Sequence, residues 1–168
     1  IAKDLLIAPV SRESNLLKIS TLNVPKFENK QMELLNGIQE HLVSIDLSYS
    51  AVNDSIFDLL AEFPNLVQIK LNHTQVTGKG ILALQKNKNL KQLYLVETEI
   101  NGIYLKHLSN FPSLEQVFIF QSKRNLSREI ELTPKLKTII EFGEYYQFTS
   151  INTIDIIKLN HHQDLCLN

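Results

Sequence analysis

The stretch LVQIKLNHTQV, Leu66–Val76, returns as LKQLYLVETEI at Leu90–Ile100 and is preceded by LVSIDLSYSAV at Leu42–Val52. A fourth copy begins at Leu114 and runs through Ser122, so the four starting points, Leu42, Leu66, Leu90 and Leu114, are evenly spaced. Each copy reads apolar-x-x-apolar-x-apolar-x-x-Ser/Thr, with Ser50, Thr74, Thr98 and Ser122 at the ninth position. The alternating part, Ile69 and Leu71 for example, predicts a short strand with one face turned inward. One such unit cannot bury its apolar face alone, so the copies must stack, the chain turning after each strand and returning behind the sheet. Each unit then supplies about four or five core side chains, roughly 1.5–3 kcal/mol apiece when fully buried. At the ninth position, a short hydroxyl is placed to bond the backbone of the turn.

A helix signal follows each strand. Asn53, Thr77 and Asn101 occupy equivalent positions and suit an N-cap. The helices predicted behind them span 54–62, 79–86 and 102–109. They are expected to bury Ile56, Leu59 and Phe63, then Ile81 and Leu84, then Ile103, Leu105 and Leu108. Pro64 and Pro112 stop two of them before the next strand. Upstream, Leu17, Leu22 and Phe27 stand before Leu42, Leu47 and Val52 at the repeat period plus one position. Allowing that slip, ENKQMELLNGIQEH supplies the helix of a first, irregular repeat. Downstream the period fails after Ser122; LKTIIEFGEYYQF and INTIDIIKL alternate like strands. The chain therefore reads as one domain. Residues 1–41 form an irregular first repeat and cap, 42–122 the regular repeats, and 123–168 an extended C-terminal cap.

With 168 residues, 43% of them hydrophobic, there is ample material for a core. The formal net charge of −1, with no long run of one sign, argues against nucleic acid or a charged membrane surface as partner. No apolar run approaches the roughly 18 residues of a membrane span. The lone Cys166 excludes an internal disulfide and a multi-cysteine metal site. The chain starts at Ile1 without a signal peptide, which is expected of a processed chain or an excised domain.

A period of 20–29 residues with this spelling resembles the leucine-rich repeat family. IDLSYSAVND, LNHTQVTGKGILALQKNKNLKQLYLVETEI and PKLKTIIEFGEY are similar to a bacterial subgroup with ribonuclease-inhibitor-like 24-residue repeats, over roughly residues 10–146. The resemblance implies an α/β right-handed solenoid, a short horseshoe of about five repeats with a parallel concave sheet and convex helices. In Bacteroidetes and Planctomycetes such domains stand at the C-terminal end of envelope proteins carrying c-type cytochrome modules. It thus implies a periplasmic or cell-envelope setting. Covalent c-type haem needs C-x-x-C-H. No cofactor is expected in this chain, and any haem module would lie upstream of Ile1. The subgroup's W-Q-T after LYL is here Val96-Glu97-Thr98, so any function of that Trp does not transfer.

On such a sheet the residues between core positions point outward, and equivalent positions on strands about 4.8 Å apart form columns. The expected middle column is Thr21, Asp46, Lys70, Tyr94, Phe118. Its neighbours are Asn23, Ser48, Asn72, Val96, Phe120 on one side and Ile19, Ser44, Gln68, Gln92, Gln116 on the other. A fourth column holds Val24, Tyr49, His73, Glu97 and Gln121. Tyr94, Val96, Phe118 and Phe120 would form an apolar patch that calls for a partner. Two partners account for it: an external protein or peptide, or the chain's own C-terminal segment, aromatic at Tyr145, Tyr146 and Phe148. Asp46, Lys70 and Tyr94 are placed for an ion pair and a cation–π contact, or simply form a solvated charged face. Gln68, Gln92 and Gln116 can bond along their own column or to a ligand.

Of the five histidines, only His161 and His162 cluster, with Asp164 and Cys166, at a spacing that fits no structural zinc pattern. Asn53, Asn72 and Asn125 begin glycosylation sequons, each with a plain structural explanation. There is no Gly-rich phosphate loop and no nucleophile elbow. The expected function is a non-enzymatic interaction module binding a protein or peptide through Asp46, Lys70, Gln92, Tyr94, Val96, Gln116, Phe118 and Phe120. No metal and no catalytic residue is expected. The alternatives are an accessory domain packed on its own protein's other domains, and a homodimerisation module.

Overall fold

A computed structural model describes residues 4–24, 26–121 and 133–142. They form an α/β fold around one sheet of seven strands, in chain order: β1 (Leu6–Pro9), β2 (Leu17–Ser20), β3 (Leu42–Asp46), β4 (Gln68–Lys70), β5 (Gln92–Tyr94), β6 (Gln116–Ile119) and β7 (Ile140–Phe142). From β2 to β7 every neighbouring pair is parallel. Parallel neighbours need a crossover, and the segments between strands supply it. The register pairs Ile45 with Ile69, Leu93 and Val117 in turn, and the row is buried. Leu47, Leu71 and Leu95 add a second buried row, and their N–H groups donate to the carbonyls of Lys70, Tyr94 and Phe118.

The hydroxyls of the ninth position close the turn as expected. Ser50, Thr74 and Thr98 are buried, and each donates to the carbonyl three residues back, Leu47, Leu71 and Leu95, at 2.6, 2.7 and 2.9 Å. The residues just before them, Tyr49, His73 and Glu97, all have left-handed backbones, with φ of 61°, 54° and 51°.

The first two crossover helices are shorter than predicted, and the second and the end of the third are wound as tighter 3-10 helix. The crossovers comprise α1 (Ile56–Leu60), a 3-10 segment at Ile81–Lys86, and α2 (Gly102–Leu105) continued as 3-10 helix over Lys106–Asn110. Of the three expected caps only Asn101 stands at an N-cap, accepting from the Ile103 N–H; Asn53 and Thr77 accept the N–H two residues on, from Ser55 and Lys79, but lie ahead of the caps Ser55 and Gly80, which make no side-chain cap bond. The inward faces differ from the prediction. Ile56, Phe57 and Leu60 are buried, while Leu59 is 37% exposed; Leu105 and Leu108 are buried, while Ile103 is 59% exposed. The inward stripe of α1 runs i, i+1, i+4 through Ile56, Phe57 and Leu60, which leaves Leu59 at its edge.

At the N-terminal end the slip is larger than expected. Leu17 pairs with Leu42, but a bulge before Lys18 then sets Ile19 opposite Ile45 and Ser20 opposite Asp46. Thr21, not Leu22, takes the place equivalent to Leu47: its N–H donates to the Asp46 carbonyl, and it is buried where Leu22 is 55% exposed. The outward columns therefore begin at Lys18, Ser20, Leu22 and Asn23, not at Ile19, Thr21, Asn23 and Val24. One inserted residue moves every later side chain to the other face. The ENKQMELL stretch is a 3-10 helix, Asn29–Leu35, opened by the Glu28 N–H donating to Gln31 Oε1 at 2.6 Å.

β1 pairs antiparallel with β2 and was not anticipated. Val10 N–H points to β2, donating to the Leu16 carbonyl at 2.8 Å, so Pro9 turns its N–H-less edge outward. A proline there leaves the outer rim short of a donor and blunts strand addition. The recurrence also runs one strand past the expected limit. The stretch expected to alternate like a strand from Leu136 opens instead inside helix α3, Pro134–Ile139, capped by Thr133, and of its described residues only Ile140–Phe142 is strand. β7 pairs with β6, setting Glu141 opposite Phe118. The remainder of the expected C-terminal cap lies outside the described residues.

Candidate functional site

The face of the sheet opposite the helices carries side chains in columns, each aligned by the backbone register. The middle column reads Ser20, Asp46, Lys70, Tyr94, Phe118, Glu141. From Asp46 to Phe118 its members touch in sequence. Asp46 Oδ2 lies 3.7 Å from Lys70 Nζ, which stands 5.4 Å from the Tyr94 ring centroid; the Tyr94 and Phe118 rings stack at 4.5 Å with planes 18° apart. The expected ion pair and cation–π contact thus form, and a ring–ring stack extends them. Partial burial of both Asp46 and Lys70 protects the pair from solvent only in part, so it contributes about 1 kcal/mol or less. Asp46 also has a structural duty: its Oδ1 accepts the Ser48 N–H at 3.0 Å.

The glutamine column bonds along itself. Ser44 Oγ donates to Gln68 Oε1, Gln68 Nε2 to Gln92 Oε1, and Gln92 Nε2 to Gln116 Oε1, at 3.0, 2.8 and 2.8 Å. Gln116 Nε2 reaches Glu141 Oε1 at 3.3 Å. Every bond runs the same way. The opposite direction would need a donor at Glu141, and an ionised carboxylate has none.

On the other side of the middle column stand Ser48, Asn72, Val96 and Phe120. Asn72 is committed to the fold, its Oδ1 accepting the Val96 N–H at 2.9 Å. Val96 and Phe120 are half-buried beside the ring stack, as are Tyr94 and Phe118. The alternative that residues 123–168 blanket this patch falls largely outside the described residues, and so do Tyr145, Tyr146 and Phe148. At the rim, Tyr49 and His73 stack at 4.3 Å with planes 12° apart, and Tyr49 is 69% exposed. The two share a column in the repeat, and aromatic residues one period apart are the sequence signal for this contact.

Elsewhere the polar groups serve the turns. The Asp54 carboxylate accepts from the N–H groups of Thr77 and Gly78 and from Thr77 Oγ1. Asn87, buried behind the sheet, donates to the carbonyls of Leu60 and Phe63. A groove between the Asn29–Leu35 segment and α1, lined in part by Met32, Glu33, Leu59 and Phe63, has no counterpart in the sequence reading. Among the described residues no group of three or more His, Cys, Asp or Glu is placed to hold a metal ion, and no helix is long and apolar enough to cross a membrane. His161, His162, Asp164 and Cys166 lie outside them. The chain matches no protein-family model, and no curated protein is significantly similar to it.

Proposed function

We propose that this chain is a leucine-rich repeat, a short right-handed solenoid, and that its concave face is a non-enzymatic docking surface for a protein or peptide. The observation that carries the reading is the stacked pair Tyr94–Phe118, half-buried on an outward sheet face with Val96 and Phe120 beside it. Aromatic side chains already ordered by stacking lose little entropy when a partner covers them, which suits them to anchor an interface. The flanking Gln92 and Gln116 amides and the Asp46–Lys70 pair supply a polar border. The resemblance of the repeats to bacterial envelope proteins supports a place in the periplasm or cell envelope, next to a haem-bearing module.

The test is affinity capture from the envelope fraction of the source cells, quantified by mass spectrometry, with the wild-type chain and a Phe118→Asp/Phe120→Asp variant of matching circular dichroism. Proteins held by the wild type should fall by about thirtyfold with the variant, the effect of losing an anchor worth about 2 kcal/mol. An unchanged set of captured proteins would remove the docking surface from this face. A Soret band in the native full-length protein is the expected mark of the haem module, and its absence would remove that setting.

A further inference from the structure

The middle column contains the same chemical sequence twice, once complete and once missing a member. From β3 to β5 it runs carboxylate, cation, aromatic ring: Asp46, Lys70, Tyr94, held at 3.7 and 5.4 Å. From the opposite end, β7 to β6, it runs carboxylate then ring, Glu141 opposite Phe118, and among the described residues no cation stands against this pair. Tyr94 covers one face of the Phe118 ring. Because the two rings stack along the column, the second face of Phe118 looks across β7. Glu141 is exposed and leans toward Gln116, and among the described residues no ion pair engages it. Lys70 cannot fill the gap, since it sits on the far side of Tyr94 and is held by Asp46.

We infer that the slot between Phe118 and Glu141 receives a guanidinium group, so that the partner docks an arginine-bearing segment on this face. The cation completes the arrangement that Asp46, Lys70 and Tyr94 already show within the chain. An arginine fits better than a lysine. Its planar head stacks on an aromatic face and presents a fork of N–H donors to a carboxylate at the same time. An ammonium is more strongly hydrated and does only one of these well. This assignment rests on the docking role proposed for the face and names the chemistry of the docked side chain.

The experiment is a titration of the full chain, labelled with carbon-13 in its phenylalanine rings, by Nα-acetyl-arginine methylamide, followed by NMR. The Phe118 signals are identified from a Phe118→Leu variant. They should move saturably with a dissociation constant of about 30 mM, as expected of one exposed ion pair and one cation–π contact acting together. The citrulline analogue, neutral and of nearly the same shape, should leave them in place. Glu141→Gln should weaken the arginine response about fivefold. Equal shifts from arginine and citrulline, or an unaltered response in the Glu141→Gln variant, would overturn the guanidinium slot. If the arginine probe fails while the Phe118/Phe120 variant still loses its captured partner, the docking face stands and this slot falls. If that variant keeps its partner, the docking face itself falls.

Discussion

Asn87 offers a sharp test of how the crossovers are held to one another. Its side chain is 1% exposed, and its Nδ2 donates at 3.0 Å to the Leu60 carbonyl and at 2.7 Å to the Phe63 carbonyl. Those two carbonyls belong to the end of the preceding crossover, so this amide bridges consecutive turns behind the sheet. Each carbonyl also accepts one backbone N–H, from Phe63 and Leu66 respectively. Asn87→Ala therefore leaves both with a partner and should cost about 1–3 kcal/mol. Asn87→Asp is nearly the same shape but replaces both donated hydrogens with an oxygen facing two oxygens. Asn87 Oδ1 already has no partner, so a carboxylate here would be buried without a donor or a cation. The cost at pH 7 should be about 3–5 kcal/mol, the usual range for an uncompensated buried charge.

The sign of the pH dependence follows from burial, which raises the new carboxyl's folded-state pKa above its unfolded value of about 3.9. Between those two values the folded state holds the proton and the unfolded state does not. Stability of the Asp variant then falls as pH rises through that window, by at most about 1.4 kcal/mol per unit. Urea unfolding of wild type, Asn87→Ala and Asn87→Asp at pH 7 and pH 4 measures this, each variant compared with wild type at the same pH. The gap between Asp variant and wild type should shrink by several-fold at pH 4, while the Ala gap stays constant. An Asp variant no worse than Ala at pH 7, or a gap indifferent to pH, would refute the bridging role.

Two further substitutions probe the turns. Gly78 has φ of 91°, and a Cβ there would come within 2.5 Å of Ile100 Cδ1 and 3.2 Å of Tyr104 Cβ; Gly78→Ala should lower stability by about 2–4 kcal/mol in urea unfolding, from left-handed strain plus overpacking. Thr74→Val removes the 2.7 Å bond from Oγ1 to the Leu71 carbonyl with almost no change in shape; a loss of about 1 kcal/mol is expected, and an unchanged urea midpoint would show that the hydroxyl merely fills space.

What could be read from sequence was whatever the repeat period carries. Ile45, Ile69 and Leu93 form the buried row, and Asn53, Thr77 and Asn101 each accept the N–H two residues on, because each position repeats and its environment repeats with it. The columns Asp46–Lys70–Tyr94–Phe118 and Gln68–Gln92–Gln116 were legible for the same reason. Errors gathered where the period breaks. A bulge after Leu17 was invisible in the spacing of leucines, since Ile19 and Leu22 are equally apolar and only the ladder decides which one faces inward. Glu141 was missed as a column member because the step to it from Phe118 falls one position short of the period, and the stretch before it looks strand-like while folding as α3. Leu59 and Ile103 were expected inside because the apolar spacing admits more than one helix face; the faces that turn inward are Ile56, Phe57 and Leu60 in one crossover and Leu105 and Leu108 in the other.

The one-way run of amides from Ser44 to Glu141 gives the sheet face something a stack of equivalent repeats would otherwise lack, a sense of direction. Each glutamine alone has two orientations of nearly equal standing. Linked in a row, they have one between them, because turning any amide leaves two acceptors facing each other on one side and two donors on the other. The carboxylate at the β7 end settles the choice for all three, so a single charge on the last strand dictates the pattern of donors and acceptors that a visitor would meet three strands away.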